Sequence, residues 1–119
     1  MNIQNSQKPT PEMQSLCKEN WHNFMERVHR ACDKAGREPA SVRVVGVTKS
    51  VDMASTHALY NAGCRDLGES RPQAFWEKAA AFVAADLKVQ WHLIGHLQRN
   101  KVAKTTPYNP VFHTSDSVR

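Results

Sequence analysis

The chain has 119 residues, which is enough for one domain with a hydrophobic core and too few for several. Hydrophobic residues make up 40% of it and charged residues 23%, a balance typical of an ordinary soluble protein. The formal net charge of +5 is moderate, so charge alone does not distinguish an anionic ligand, a nucleic-acid surface or neither.

Cysteine usage and the N-terminal sequence both bear on the compartment. Cys17, Cys32 and Cys64 show no C-x-x-C spacing and cannot all pair, which favours reduced thiols. No apolar stretch approaches the ~20 residues of a membrane span, and the polar N-terminus lacks the apolar core of a signal peptide. We therefore expect a cytoplasmic protein without a membrane partner.

A long amphipathic helix is predicted near the N-terminus. Residues 1–9 are polar and are expected to be disordered, so the folded domain is assigned to residues 10–119. Thr10 followed by Pro11 is a good helix start, and Gly36 a good helix end. Between them, apolar residues recur at steps of three and four, which predicts six or seven turns of helix.

Strands and helices alternate over the rest of the chain. Strands are predicted near 42–48, 64–67, 89–94 and 111–114, and helices near 52–62, from 70 through 83, and over 97–104. The third of the four predicted helices opens with a capping-box pattern from Ser70 to Gln73. Strands that recur every 20 or so residues with helices between them predict successive right-handed βα units and an α/β fold.

Lys49 follows the first predicted strand, the valine-rich run 41–48. Such a run reads as a strand buried on both faces, as in a parallel sheet. A lysine just past the carboxyl end of this strand occupies the edge where α/β barrels place their chemistry. Its amine can condense with an aldehyde, most often pyridoxal phosphate (PLP). The alternative is a solvated lysine at a strand end.

Three further motifs follow later strands, and together with Thr48-Lys49-Ser50 they carry a resemblance. They are Gly-Glu-Ser-Arg-Pro-Gln at 68–73, Trp-His-Leu-Ile-Gly-His-Leu-Gln-Arg-Asn-Lys at 91–101, and His-Thr-Ser-Asp-Ser at 113–117. In order and spacing, residues 12–119 resemble the N-terminal half of the pyridoxal phosphate homeostasis protein family. Chains of that family carry Ser/Thr-Lys, Gly-Glu-Asn, Trp-His-x-Ile-Gly-x-Leu-Gln-x-Asn-Lys and His-Ser-x-Asp.

This resemblance implies both a fold and a function. The fold would be the N-terminal half of a (β/α)8 TIM-type barrel (PLP fold type III), with about four parallel strands and an N-terminal helix, like the N-terminal domain of alanine racemase. The cofactor would be pyridoxal 5'-phosphate, one per subunit, held as a Schiff base. Family members influence vitamin B6 balance in the cytoplasm without established turnover, so the expected partners are PLP and B6 vitamers.

Three residues are carried over from the family as cofactor-binding. Lys49 matches the Schiff-base lysine of the family. Ser70 stands where the family has Asn; its hydroxyl is shorter than a carboxamide, and capping of the next helix is an equally good role for it. The resemblance also places His92 beside the pocket, with Asn100 and Lys101 at the rim.

Alternative readings remain for the histidines and the basic residues. On a strand, His92 and His96 would share a face and could hold a metal, but a core histidine hydrogen-bonded to its neighbours is the favoured reading. Arg99, Lys101 and Lys104 form a basic cluster, for which a solvated helix face is favoured over RNA binding. We accordingly predict no metal and no nucleic-acid partner.

The parts of a PLP site that the sequence lacks suggest a fragment. Glycines occur only at positions 36, 46, 63, 68 and 95, never as a clustered phosphate loop, and in the family that loop lies in the second half of the barrel. Four strands cannot close a barrel, so apolar surface and an open edge are expected, and self-association through that edge is one consequence. We therefore predict a truncated family member or a segment of a longer product.

Two alternative functions follow from the same residues. The chain could be a remnant or interaction domain that no longer holds PLP, in which case PLP would label surface lysines such as Lys78, Lys88 and Lys104 without preference. A racemase-type enzyme would need a second acid/base group, often a tyrosine. Tyr60 and Tyr108 lie in no recognisable motif, so an enzyme is disfavoured.

Overall fold

A computed structural model describes residues 8–113, and predictions for residues 1–7 and 114–119 lie outside this range. The first helix, α1, spans Pro11–Ala35, as predicted. The Thr10 hydroxyl accepts a hydrogen bond from the Met13 N–H at 3.2 Å, and Gly36 closes the helix in the left-handed conformation. Within the described range, no helix is long and apolar enough to cross a membrane.

The remaining elements alternate as the sequence predicts. In chain order they are β1 (Gly46–Val47), α2 (Met53–Ala62), β2 (Asp66–Glu69), α3 (Pro72–Ala84), β3 (Gln90–Leu93), α4 (Val102–Thr105) and β4 (Val111–Phe112). Short 3-10 turns lie at Pro39–Ser41, Arg99–Lys101 and Thr106–Tyr108. The predicted second helix is confirmed, with Asp52 as N-cap and Gly63 at its end.

The four strands form one parallel sheet in the order β1-β2-β3-β4. Each strand therefore pairs with the next strand along the chain, and each crossover contains helical structure. This confirms the predicted fold class: an α/β chain of four parallel strands with an N-terminal helix, arranged as the first half of a (β/α)8 barrel.

The hydrophobic core lies between the sheet and α3. Leu67, Trp91 and Leu93 project from the strands and are almost fully buried. Against them pack Phe75 and Phe82 of α3, whose rings meet the Trp91 ring edge to face at 5.6 and 5.4 Å between centroids. These aromatic contacts position α3 over β2 and β3.

The opposite face of the sheet is largely open. A Cβ on Gly68 would point to this face and meet Val45, Val47 and Ile94. Val47 is 50% exposed, so the expectation of a first strand buried on both faces is wrong. The reason is that α2 and α3 pack on the other face alone. Exposed apolar groups here, including Val111, confirm the expectation that a half-barrel would expose apolar surface.

Several predicted boundaries differ from the structure. The ladder of β1 covers Gly46–Val47 rather than 42–48, because β1 is an edge strand that pairs only with β2. The second predicted strand begins two residues late, at Asp66. The short basic helix begins at Arg99 as a 3-10 turn rather than at residue 97, and α4 follows it.

The capping box predicted at Ser70 is also wrong. Arg71, without a side-chain cap, is the N-cap residue of α3. Strand pairing explains the shift, since the Glu69 carbonyl still accepts from the Ile94 N–H at 2.8 Å. Ser70 therefore continues the extended backbone of the strand, whereas a capping box would require it to be the N-cap residue of the helix.

Gly63 carries a test of how α1 packs on α2. Its φ is +125°, and an added Cβ would lie 3.0 Å from Nε1 of Trp21 in α1. Gly95 has a similar φ of +111°, but its Cβ would meet nothing within 4 Å. Gly63→Ala should therefore cost more stability than Gly95→Ala, because both add backbone strain of about 1–3 kcal/mol but only the first displaces Trp21. Urea unfolding measures both, and equal losses would contradict this packing.

His57 of α2 predicts a pH dependence of stability. Its Nδ1 atom is buried and has no hydrogen-bond partner among residues 8–113, and its ring packs near Phe82. Burial, assisted by the positive charge of Lys8, lowers the pKa of His57 below 6.5. The unfolded chain therefore binds the proton more readily, so this contribution to stability is complete above pH 6.5 and is lost as the pH falls below it.

Urea midpoints at pH 8 and pH 5.5 check this prediction. His57→Asn removes the titration, so the variant should lose less stability than the wild type over that interval. The same slope in both proteins would assign the pH dependence to other groups.

Candidate functional site

Lys49 lies where the sequence predicts it, just past the carboxyl end of β1 (two residues after Val47), in the four-residue turn Thr48–Val51. The Val51 N–H donates to the Thr48 carbonyl at 3.2 Å and closes this turn. Ser50 adopts a φ of +68°, a left-handed conformation that is uncommon for a residue with a side chain. The turn leaves the Lys49 side chain exposed at the carboxyl edge of the sheet.

Lys49 borders a cleft of about 960 Å³ that extends from this turn along α3. A volume of this order is ample for a small-molecule ligand. The lining carries both charge signs and two aromatic rings, from Lys49, Arg71, Asp52, Glu77, Trp76 and Tyr108. The cleft therefore combines an accessible amine with a guanidinium group suited to an anion.

A buried ion pair lies beneath the turn. The Lys78 ammonium donates to Oε2 of Glu69 at 2.6 Å, and the exposed fractions of the two residues are only 6% and 1%. The same ammonium donates to the carbonyls of Thr48 and Val51, each at 2.9 Å. The Thr48 hydroxyl lies 2.5 Å from the same Glu69 oxygen. This network joins the turn after β1 to β2 and α3.

Sequence reasoning missed this pair. Lys78 was expected at the surface, and that expectation is wrong, because the buried face of α3 carries Lys78 against the ends of β1 and β2. A signal existed: Lys78 lies three residues after Phe75 and four before Phe82, on one helical stripe. Glu69 belongs to the Gly-Glu-Ser motif, but it received no role.

Ser70 and His92 lie apart from the cleft. Both are outside its lining, whereas Lys49, Glu69 and Lys78 share it. Ser70 follows β2 and is half-buried. By strand alternation, Ser70 and His92 belong with Gly68 to the open face of the sheet.

The His92 ring is held by two neighbours. Its Nε2 lies 2.9 Å from Asp66 Oδ1, which also pairs with Arg43 at 3.3 Å, and its Nδ1 lies 2.7 Å from Nε2 of His113. The ring is 3% exposed and both nitrogens are engaged, so the favoured reading of a histidine hydrogen-bonded to its neighbours is confirmed. Direct binding of a cofactor by His92 would require one of these bonds to break.

The metal alternative depended on a shared strand face for His92 and His96. The strand ends at Leu93, and Gly95 turns the chain with a φ of +111°, so His96 is no longer on the strand. Within residues 8–113, no group of three or more His, Cys, Asp or Glu side chains is arranged to hold a metal ion.

The donor groups around Lys49 fit part of a PLP site. An exposed amine in a roomy cleft suits an aldehyde, and the Arg71 guanidinium in the same cleft suits a phosphate. A glycine-rich phosphate loop is absent from the 119-residue sequence. The residues thus fit the attachment of the cofactor better than its phosphate anchorage.

A parallel half-barrel with an accessible lysine after its first strand is the class of protein that the fold and the site define. The sequence is 38% identical to the pyridoxal phosphate homeostasis protein of Aquifex aeolicus over 84 residues, which are 71% of this chain and 36% of that protein. It is 33% identical to the protein of the same name from Pseudomonas aeruginosa, over 88% of this chain and 45% of the relative. For the Synechocystis protein of that name the identity is 41%, over 67% and 36%.

Solved structures agree with these relatives. A protein of unknown function from Bifidobacterium adolescentis matches 90% of this chain and 47% of its own, with a TM-score of 0.75 and 31% identity. PipY of Synechococcus elongatus PCC7942, solved without PLP, matches 76% of this chain and 42% of its own, with a TM-score of 0.56 and 33% identity. No family model matches the sequence.

These matches confirm the predicted resemblance: the chain is a relative of the pyridoxal phosphate homeostasis proteins and corresponds to the N-terminal half of that family. It spans less than half the length of the curated relatives described above.

Burial of Lys78 predicts its chemical protection. In native buffer, acetic anhydride should modify Lys78 at least ~10-fold more slowly than the exposed Lys88 and Lys104, because reaction requires local opening of α3. Peptide mass mapping against time measures the three rates. In concentrated urea the three lysines should react alike, which is the control. Equal rates in native buffer would refute the buried position.

Proposed function

We propose that this chain binds pyridoxal 5'-phosphate through Lys49 and takes part in intracellular vitamin B6 homeostasis. The observation that carries the proposal is the position of Lys49, exposed at the carboxyl edge of a parallel sheet and bordering a cleft of about 960 Å³. The names of the relatives support the same role. Three free cysteines support a cytoplasmic location.

The chemistry at Lys49 is a condensation. PLP, when bound, would supply an aldehyde, and the deprotonated Lys49 amine would be the group that holds it covalently, with the aldehyde oxygen leaving as water. The turn Thr48–Val51 presents the amine to the cleft, and the Arg71 guanidinium offers charge to an anionic group. Ser70 and His92 stay candidates for cofactor binding on the family resemblance alone, because both lie outside the lining of this cleft.

We propose no catalytic turnover. The relatives are named as homeostasis proteins. Tyr108 lines the cleft, but it lies in a 3-10 turn 59 residues after Lys49, and we assign it no role as an acid or a base. Racemisation and transamination assays with added PLP test this, and turnover above that of free PLP would overturn it.

Reductive trapping tests the cofactor proposal. After titration with PLP and reduction with borohydride, peptide mapping should find a saturable pyridoxyl adduct on Lys49, because among residues 8–113 it is the one lysine that is both exposed and borders the cleft. Lys49→Ala should abolish the saturable labelling. Lys88→Ala, which removes an exposed lysine outside this cleft, is the matched control and should leave it unchanged.

The outcome separates this proposal from the second candidate function. Labelling that does not saturate and is spread over Lys88, Lys104 and other exposed lysines would favour a remnant or interaction domain that no longer holds PLP. The open face and its exposed apolar residues, such as Val47 and Val111, are the observation that favours that candidate. Sedimentation of the purified chain would then report whether the open sheet associates with itself.

A further inference from the structure

The turn that carries Lys49 is held at both ends by one buried group. Its first and last residues, Thr48 and Val51, each direct a carbonyl oxygen at the Lys78 ammonium, at 2.9 Å. The Glu69 carboxylate is the third acceptor, at 2.6 Å. An ammonium has three N–H donors, so the hydrogen-bonding capacity of Lys78 is fully used.

This arrangement has a cost that solvent-exposed alternatives avoid. Removing an ammonium and a carboxylate from water is expensive, and a buried pair often contributes little net stability compared with apolar residues of similar size. A buried charge that contacts two backbone carbonyls of one turn therefore fits a role in determining the conformation of that turn.

The backbone of the turn needs such support. Ser50 adopts its left-handed φ of +68° between the two carbonyls that Lys78 holds. A conformation of this kind persists where the surrounding structure over-determines it. The single hydrogen bond across the turn, from the Val51 N–H to the Thr48 carbonyl, is long at 3.2 Å.

We infer that Lys78, held by Glu69, is a positioning residue for Lys49: it fixes the turn Thr48–Val51 and thereby the direction in which the Lys49 amine enters the cleft. This inference rests on the proposed function for its chemical consequence, but the clamping of the turn stands independently of PLP. Lys78 itself does not attach the cofactor, because its three donors are occupied within the protein.

Limited proteolysis tests whether Lys78 holds the turn Thr48–Val51, and it requires no cofactor. Trypsin cleaves after lysine and arginine, and the Lys49–Ser50 bond lies within the turn, so the appearance of peptides that end at Lys49, followed by mass, reports local opening. Lys78→Met should accelerate this cleavage by about 10-fold or more relative to a control of similar global stability. Phe82→Leu is that control, because Phe82 packs in the core of the same helix and does not line the cleft.

A second variant protects the test against misfolding. Glu69→Gln retains an oxygen acceptor but removes the charge, so it should accelerate the same cleavage less than Lys78→Met and more than Phe82→Leu. If Lys78→Met does not fold, as judged by circular dichroism, Glu69→Gln alone decides. Cleavage that follows global stability equally in the ion-pair variants and in Phe82→Leu would overturn the inference.

Reductive trapping with PLP then reads the chemical consequence. Where the wild type labels Lys49, Lys78→Met should reduce that adduct by about 10-fold at equal PLP, whereas Phe82→Leu retains it. Unchanged labelling in Lys78→Met would overturn the positioning role while leaving the cofactor proposal intact. Absence of a Lys49 adduct in the wild type would refute the proposed function. The trypsin comparison alone would then decide whether Lys78 holds the turn.

Discussion

The ion pair between Lys78 and Glu69 is the interaction on which the carboxyl edge of the sheet depends. It connects the helix α3 to β2 directly and to the turn after β1 through two backbone carbonyls. Loss of one partner would leave the other as a buried uncompensated charge, which typically costs about 3–5 kcal/mol. The core aromatics determine where α3 lies. From that position, the ion pair holds the turn that carries Lys49 in its conformation.

A second constraint is the asymmetry of the sheet. Helices cover one face, on which Leu67, Trp91 and Leu93 are buried, whereas the other face leaves apolar groups such as Val47 exposed. His92 is nevertheless buried on that open side, where its two ring nitrogens lie within hydrogen-bonding distance of Asp66 and His113. On the open face, hydrogen bonds hold this side chain in place, whereas on the covered face hydrophobic packing does so.

Much of the fold could be predicted because its signals are local. The helix ends at Thr10 and Gly36 follow from the side chain of one residue and the backbone freedom of the other, and the structure confirms them, as it confirms the helix predicted near 52–62. The capping box at Ser70 failed because strand pairing, a long-range interaction, kept that residue extended. The predicted β1 is too long for a related reason. Its valine content indicates a strand, but the length of the strand also depends on how far a neighbouring strand pairs with it.

The sequence by itself determined the alternation of strands and helices, the family to which the chain is related, and Lys49 as the residue that follows the first strand. These depend on short motifs and on periodicity, which are written along the chain. Only the tertiary structure decided that Lys78 is buried and that Glu69 is its partner. The two residues are nine positions apart in different elements, and their contact, like the hold on the Lys49 turn, exists only once α3 has packed on the sheet.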